Sequence, residues 1–155
     1  MKMEFWLIGK TSYNFVEEGV ALYEKRLKHY VPFEIVTLPH PKGQLNAEQI
    51  KQKEAEAVLK KLNTDDFLIL FDERGKTFTS EKFATYMESL LSQSHRRVIW
   101  LIGGAYGFTP EVYSRANAQV SLSSMTFSHQ LIRVCIMEQF YRAMAILNNE
   151  PYHHA

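Results

Sequence analysis

The sequence predicts an α/β fold, with a mostly parallel sheet and helices on both faces. Short apolar runs rich in β-branched and aromatic residues alternate five times with longer segments of helical period. The run 66–72 is apolar on both faces, which is typical of a central strand covered by helices on either side. With 155 residues and a hydrophobic content of 46%, the chain is predicted to form one domain over residues 1–155.

The first part of the chain is predicted to hold two strands and two helices. Residues 3–8 form an apolar run, and residues 12–30 follow with helical period. Residues 33–38 have the composition of a second strand. A loop with two prolines leads to a helix over about 46–62, for which Asn46 is the expected N-cap.

The middle of the chain continues the alternation. The third strand is predicted over 66–72, after which Gly75 turns the chain. A helix is predicted from about Ser80 to Leu91, and it is followed by a fourth strand over 97–102.

The last part of the chain ends in a long apolar helix. Pro110, after Thr109, is well placed in the first turn of a short helix, and a fifth strand is predicted over 118–122. The final helix is predicted over 129–148 and is apolar almost all round. Such a helix must be buried in the core or in a subunit interface, and both stay open.

Charge and composition limit the function classes. The formal net charge of +1 gives no overall basic field, so an RNA site would have to be a local patch. Cys135 is the only cysteine, which excludes an intramolecular disulfide and a cysteine-rich zinc site. His153 and His154 are the only close histidine pair, and adjacent residues of an extended chain point apart, so no metal is expected.

The sequence also predicts a cytoplasmic protein. The apolar run 5–8 is too short for a signal peptide. No uncharged apolar run approaches the roughly 18 residues that a membrane-spanning helix needs.

Two segments at the predicted carboxyl ends of strands are candidate ligand sites. Residues 103–107 have the pattern GGxxG, which is neither the dinucleotide fingerprint nor a Walker loop. Their glycines are compatible with two roles. The backbone could approach a ligand closely, or the segment could form a tight strand-to-helix turn, and the sequence leaves both alternatives open. Residues 121–127 are rich in small hydroxyl side chains, which favours a cap of the last helix, with a ligand-binding loop as the alternative.

Charged and aromatic residues near the C-terminus form a further candidate group. Glu138 and Arg142 are four residues apart, which suits a helical ion pair or a functional pair on an otherwise apolar helix. Tyr152 and His153 follow the proline that ends this helix. A tyrosine and a histidine can contact an RNA base, although most chain ends simply fray.

Four ordered motifs give the chain a resemblance to a known family. They are residues 101–107 (LIGGAYG), 121–130 (SLSSMTFSHQ), 138–143 (EQFYRA) and 151–154 (PYHH). With these motifs the whole chain resembles the ribosomal RNA large subunit methyltransferase H family (RlmH, also called YbeA) of the SPOUT superfamily. The resemblance implies a C-terminal trefoil knot and a homodimer. It also implies methyl transfer from S-adenosylmethionine to N3 of a pseudouridine in 23S ribosomal RNA of the assembled ribosome.

The same resemblance implies the functional residues. Those that would bind S-adenosylmethionine are Phe71, Gly103, Gly104, Leu122, Ser123, Ser124, Met125, Thr126 and Phe127. Arg142, Tyr152 and His153 would line the RNA side of the pocket. From these positions we expect His153 to orient the base or help to remove its proton. Arg142 is expected to bind phosphate or steady an imide anion, and Tyr152 to pack against the target.

Two positions depart from the family pattern, and two other functions stay open. His154 stands where the family usually has Arg or Lys, and Ser128 where it usually has Pro. A histidine is mostly neutral at pH 7, so one phosphate contact is expected to be weaker or pH-dependent. The alternative functions are a SPOUT methyltransferase with another RNA target, such as transfer RNA, and a non-catalytic ribosome-associated binding module.

Overall fold

Five strands form one parallel sheet in the computed structural model, which describes residues 1–154. The strands are β1 (Lys2–Ile8), β2 (Phe33–Leu38), β3 (Phe67–Thr77), β4 (Arg97–Ile102) and β5 (Ala118–Ser121). Their order across the sheet is β2-β1-β4-β3-β5, and every neighbouring pair is parallel. The predicted α/β class is confirmed, and the sheet is fully parallel rather than mostly so.

Four helices connect the strands and a fifth follows β5, and the starts of α2, α3 and α4 are marked by capping side chains. They are α1 (Asn14–Leu27), α2 (Ala47–Lys61), α3 (Ser80–Ser92), α4 (Pro110–Arg115) and α5 (Leu131–Leu147). The Gln49 N–H donates to Asn46 Oδ1 at 2.8 Å, and the Asn46 N–H donates to Gln49 Oε1 at 3.0 Å. This capping box confirms the predicted start of α2. Thr109 caps α4, and Pro110 occupies its first turn, as predicted.

The helices cover both faces of the sheet. Helices α1, α3 and α5 enclose the larger hydrophobic core, whereas α2 and α4 enclose a smaller core on the opposite face. Consecutive strand residues point to opposite faces, so Phe5 of β1 lies in the larger core and Trp6 in the smaller one. Phe140 of α5 packs against Phe5 with ring centroids 5.4 Å apart, which fixes α5 against the middle of the sheet.

Strand β3 is longer than predicted. The prediction ended it at Asp72 with a turn at Gly75, but the strand continues beyond that glycine. After a register shift, Lys76 pairs with Val120, the residue with which Phe71 also pairs. Gly75 lies against the β5 backbone, where a Cβ atom would come within 2.6 Å of the Val120 nitrogen. The glycine therefore permits a close approach of two backbones, and the predicted turn was wrong.

A buried arginine ties α5 to the end of β1. Arg133 is 4% exposed, and its guanidinium donates to the carbonyl oxygens of Ile8 at 2.9 Å and Gly9 at 3.0 Å. Burial lowers the pKa of Arg133. Carbonyl dipoles therefore hold this guanidinium, and the last helix cannot leave the sheet without exposing them.

None of the helices within residues 1–154 is long and apolar enough to cross a membrane. Across the same residues, no group of three or more His, Cys, Asp or Glu side chains is arranged to hold a metal ion. The trefoil knot and the homodimer implied by the resemblance stay predictions.

Candidate functional site

A cleft opens at the carboxyl ends of strands β3, β4 and β5. Its volume is about 620 Å³, and its walls come chiefly from residues 71–74, residues 102–108 and the loop between β5 and α5. Loops at this edge of a parallel sheet are where α/β proteins bind ligands. The cleft therefore lies at the edge where the sequence predicts a ligand site.

Eight of the nine residues implied for the cofactor line this cleft. They are Phe71, Gly103, Gly104, Leu122, Ser123, Met125, Thr126 and Phe127. Ser124 is not among the lining residues. The Met125 side chain is 76% exposed, so a flexible apolar group is available to cover a molecule bound in the cleft.

The loop after β4 combines a tight turn with an open backbone. Gly107 has a φ of +80°, and its N–H donates to the carbonyl oxygen of Gly104 at 3.2 Å. A Cβ atom on Gly103 would come within 2.9 Å of the Phe108 ring. The same loop lines the cleft. The turn and the ligand-facing backbone, which the sequence left as alternatives, occur together.

A buried carboxylate lies beside this loop. Glu54 of α2 is 4% exposed, and a Cβ atom on Gly104 would come within 2.6 Å of its Oε1. Neither carboxylate oxygen accepts a hydrogen bond from any residue that the structure describes. His40 Nδ1 lies 4.0 Å from Oε2. Burial raises the pKa of Glu54 above its ordinary value, and His40 opposes that rise only in part.

Sequence reasoning missed Glu54 because it placed the charged side chains of α2 on the outer face. A signal was nevertheless present. Ile50, Glu54 and Val58 are spaced by four residues, so they share one face of the helix. Val58 is 2% exposed, which places that face against the smaller core.

A hydrogen-bonded network on the cleft wall also escaped sequence reasoning. The Tyr113 hydroxyl donates to Asp72 Oδ2, and Arg74 Nη2 donates to the Tyr113 oxygen at 2.6 Å. The Arg74 guanidinium lies over the Tyr113 ring, 5.2 Å from its centroid. Burial alone would raise the pKa of Asp72, but hydrogen bonds from Tyr113 and Arg74 outweigh it and lower that pKa. The cleft therefore holds an ionised carboxylate at neutral pH.

The hydroxyl-rich loop after β5 is held by hydrogen bonds within itself. Ser121 Oγ donates to the Ser123 carbonyl oxygen at 3.0 Å, and the Met125 N–H donates to Ser123 Oγ at 3.0 Å. The cap predicted for residues 121–127 comes instead from the next residue, because Ser128 Oγ accepts from the Leu131 N–H at 3.1 Å. The hydroxyl groups of the loop shape the cleft wall.

Arg142, Tyr152 and His153 come together outside the cleft. Arg142 Nη1 lies 2.9 Å from His153 Nδ1, and its guanidinium lies 4.8 Å from the centroid of the Tyr152 ring. Arg142 also pairs with Glu138 at 2.7 Å, so the helical ion pair is present. None of the three lines the cleft. The tail is docked on α5 by these contacts rather than frayed.

His153 is held through both of its ring nitrogens. A guanidinium can only donate, so Nδ1 accepts from Arg142. Nε2 lies 2.9 Å from Glu81 Oε1, and this hydrogen bond lowers the pKa of Glu81. His153 is therefore held between α3 and α5. Glu81 is a further residue of this cluster that sequence reasoning missed.

The chain is similar to known proteins over nearly its full length. Residues 1–153 match a family described as predicted SPOUT methyltransferase. A protein of Parabacteroides distasonis named ribosomal RNA large subunit methyltransferase H is 48% identical over 156 residues, which cover 99% of each chain. A protein of the same name from Cytophaga hutchinsonii is 45% identical, over 99% of this chain and 100% of its own length.

A solved structure shares the fold at much lower identity. It is described as a probable methylase family protein from Haemophilus influenzae, and it aligns with a TM-score of 0.51 at 15% identity. The alignment covers 95% of this chain and 66% of that one. At this identity the likeness shows the fold alone.

Proposed function

The chain belongs to the SPOUT methyltransferase family, and on that premise we propose that it methylates ribosomal RNA. We infer that the donor is S-adenosylmethionine and that the acceptor is N3 of a pseudouridine in 23S ribosomal RNA. The cleft carries the proposal, because eight of the nine residues implied for the donor line it. The names of the two relatives, at 48% and 45% identity, support ribosomal RNA as the substrate.

The chemistry of the cleft supports S-adenosylmethionine as the donor. Gly103 and Gly104 line the cleft without side chains, and Leu122 and Phe127 supply apolar surface for an adenine ring. When bound, S-adenosylmethionine supplies an electrophilic methyl group.

Methyl transfer requires an acceptor nitrogen that has lost its proton. N3 of the target ring lies between two carbonyl groups and would attack only after its N–H proton has passed to solvent water. S-adenosylmethionine held in the cleft would then supply the methyl group to N3, and the electron pair of the broken carbon–sulfur bond would remain on sulfur. The protein's tasks are therefore to align the ring with the methyl group and to stabilise the ring anion.

We assign these tasks to the C-terminal cluster. Arg142 is a permanent cation that stabilises the ring anion or a neighbouring phosphate. Tyr152 packs against the target nucleotide. His153 orients the base, because both of its nitrogens are hydrogen-bonded and it can accept a proton only after releasing Arg142.

We further propose that the protein works as a homodimer. Phe15 and Leu22 are two turns apart on one face of α1 and are 64% and 45% exposed. Tyr13 stacks on Phe15 with ring centroids 5.8 Å apart, which widens the exposed apolar surface. Apolar surface of this kind marks protein interfaces, and a second copy of the chain would cover it.

Mixing two inactive variants tests whether the dimer shares its sites. One variant carries Gly103→Val, whose Cβ would collide with the Phe108 ring on the cleft wall, and the other carries His153→Ala. Recovery of methyl transfer in the mixture would mean that a cleft works with the tail of the partner. Mixed dimers without recovery would restrict each cleft to the tail of its own chain.

We infer that the protein acts in the cytoplasm on assembled ribosomes. Its formal net charge of +1 gives no overall field to hold free RNA, so recognition depends on local contacts around the cleft and the tail. A large preorganised substrate such as the ribosome suits local recognition of this kind.

Transfer of labelled methyl groups tests the proposed function. The acceptors are assembled ribosomes, separated subunits and free RNA, all lacking the modification, and the labelled nucleotide is then mapped. Label on N3 of a pseudouridine in assembled ribosomes is the expected result. Label on another nucleotide would support S-adenosylmethionine as the donor and would contradict the proposed target nucleotide. Absence of both methyl transfer and S-adenosylmethionine binding would favour the non-catalytic binding module, whereas donor binding without transfer would point to a missing partner or the wrong RNA.

A further inference from the structure

A second, smaller cavity adjoins the cleft. Its volume is about 140 Å³, and it lies between α3, α5 and the ends of β3 and β5. Phe71, Ser121 and Leu122 line both the cavity and the cleft. A molecule in the cavity would therefore lie directly beside a molecule in the cleft.

The size and walls of the cavity suit one flat six-membered ring. An apolar cavity of roughly 150 Å³ is enough to bind benzene in another protein. Phe78, Phe83 and Phe140 supply aromatic walls here. Aromatic walls are typical of sites that receive a base turned out of its RNA stack.

Four polar side chains also line the cavity, namely Thr79, Ser80, Ser121 and Gln139. Ser80 Oγ donates to Gln139 Oε1 at 3.1 Å. Gln139 Nε2 makes no hydrogen bond with any residue that the structure describes, so its two N–H groups remain available to a ligand. No charged side chain lines the cavity. These features match a neutral ring that presents a carbonyl oxygen.

The cavity also adjoins the cluster that holds the C-terminal tail. Ser80 lines the cavity, and the next residue, Glu81, accepts a hydrogen bond from His153. On the other wall, Gln139 follows Glu138, the partner of Arg142. The cavity thus lies between the cleft implied for the methyl donor and the residues implied for catalysis.

We propose that this cavity is the subsite for the target pyrimidine ring, in which the Gln139 amide donates a hydrogen bond to a ring carbonyl. The inference rests on the proposed function, because it requires an RNA base beside a bound methyl donor. The walls shared with the cleft bring the edge of the ring towards the donor. Gln139 is then a specificity-determining residue of the reaction.

The same geometry discriminates between pyrimidines and stabilises charge. With the Gln139 N–H groups placed against the C4 carbonyl, a cytosine ring would present its amino donor there instead, and the N–H groups would lose their partner. Helix α3 begins at Ser80, so the positive end of a 13-residue helix borders the cavity. That end stabilises negative charge on the ring after the N3 proton leaves.

Substitution of Gln139 tests the subsite. Gln139→Met keeps the side-chain length and removes the donor, whereas Gln139→Glu replaces the donor with a carboxylate. Gln52→Met, on the exposed surface of α2, is the matched control. We measure kcat/KM for methyl transfer to ribosomes lacking the modification, S-adenosylmethionine affinity by calorimetry, and thermal unfolding. Gln139→Met is expected to lower kcat/KM about 10- to 100-fold with cofactor affinity within about twofold.

Several outcomes would overturn the inference. The inference would be overturned if both Gln139 variants had the same kcat/KM as the wild-type protein. A fall in cofactor affinity large enough to explain the lost activity would assign the cavity to the donor instead. If Gln139→Met unfolds, Ser80→Ala serves as a smaller deletion in the same cavity, with an expected loss of about threefold or more in kcat/KM.

Failure of the proposed function would give a different result from failure of the subsite inference. In that case the wild-type protein transfers no methyl group to any ribosomal RNA. Binding of a pseudouridine-containing RNA hairpin to protein loaded with S-adenosylhomocysteine then decides the inference separately. Gln139→Met is expected to weaken hairpin binding about tenfold, and equal binding by variant and wild type would overturn the subsite.

Discussion

Replacement of Glu54 by methionine is expected to stabilise the protein. The side chain is 4% exposed, and neither carboxylate oxygen has a hydrogen-bond donor among the described residues. A buried carboxylate without such partners lowers the free energy of unfolding. Methionine fills a similar volume with a flexible side chain and has no charge to bury.

The magnitude follows from the two unpaired oxygens. Each buried polar group without a partner costs about 1–3 kcal/mol. Exchange of buried ionic groups for apolar groups of similar volume stabilises by roughly 1–4 kcal/mol, so about 2 kcal/mol is expected for Glu54→Met. For a chain of this length that gain raises Tm by about 4–8 °C. Glu54→Gln should gain less, because its buried amide also lacks partners.

The gain is expected to depend on pH. Burial raises the pKa of Glu54 above its ordinary value of 4.5. Below that value the carboxyl is protonated in both folded and unfolded chains, and no charge is buried. As the pH rises through the raised pKa, the unfolded chain holds fewer protons than the folded one, so the wild-type protein loses stability. The difference between Glu54→Met and wild type therefore grows as the pH rises from 4.5 to the raised pKa and is constant above it.

Urea unfolding at a series of pH values measures this difference. Glu56→Met is the matched control, because Glu56 is exposed on the same helix. Parallel plots of stability against pH for wild type and Glu54→Met would refute the reasoning. So would a Glu54→Met variant that is less stable than wild type at pH 8.

Three further perturbations test other parts of the molecule. Asp72→Asn is expected to lower the free energy of unfolding by about 1–2 kcal/mol at pH 7, because it weakens the hydrogen bonds with Tyr113 and Arg74. Since the pKa of Asp72 is lowered in the folded protein, this loss shrinks as the pH falls below 3.8, and equal urea midpoints at pH 7 would contradict it. His153→Ala should reduce methyl transfer at least about tenfold while calorimetry shows nearly unchanged S-adenosylmethionine affinity, and wild-type turnover would remove His153 from the site. Phe15→Glu combined with Leu22→Glu should convert dimers to monomers in sedimentation experiments, and a variant that remains dimeric would place the interface elsewhere.

Elements with local signals were predicted closely. Four of the five strands, the cap at Asn46 and the position of Pro110 in α4 depend on side chains within a few positions of one another. Helix α1 is shorter than the predicted 12–30, and Tyr13 before it provides no side-chain cap to mark its start. The order of the strands depends on pairing between distant segments, which no local pattern specifies.

The residues of the candidate site also divide into those that have a local sequence signal and those that only the fold brings together. Residues 103–107 and 121–127 follow strands directly, so the sequence already places them at the ligand-binding edge. Tyr113 reaches Asp72 from 41 residues away, and the fold alone brings the two together. Glu81 and His153 are 72 residues apart, and nothing in the sequence around either predicts their hydrogen bond.

Arg133 links the earliest strand of the chain to its latest helix. Its guanidinium binds carbonyl groups of Ile8 and Gly9, which are 125 and 124 residues earlier in the chain. During synthesis β1 emerges long before α5, so these carbonyl groups cannot meet Arg133 until the 124 residues that follow Gly9 have been made. The loop after β5 and the segment with His153 also follow all five strands in the chain. A nascent chain that stops short of α5 therefore lacks a helix that encloses the larger core.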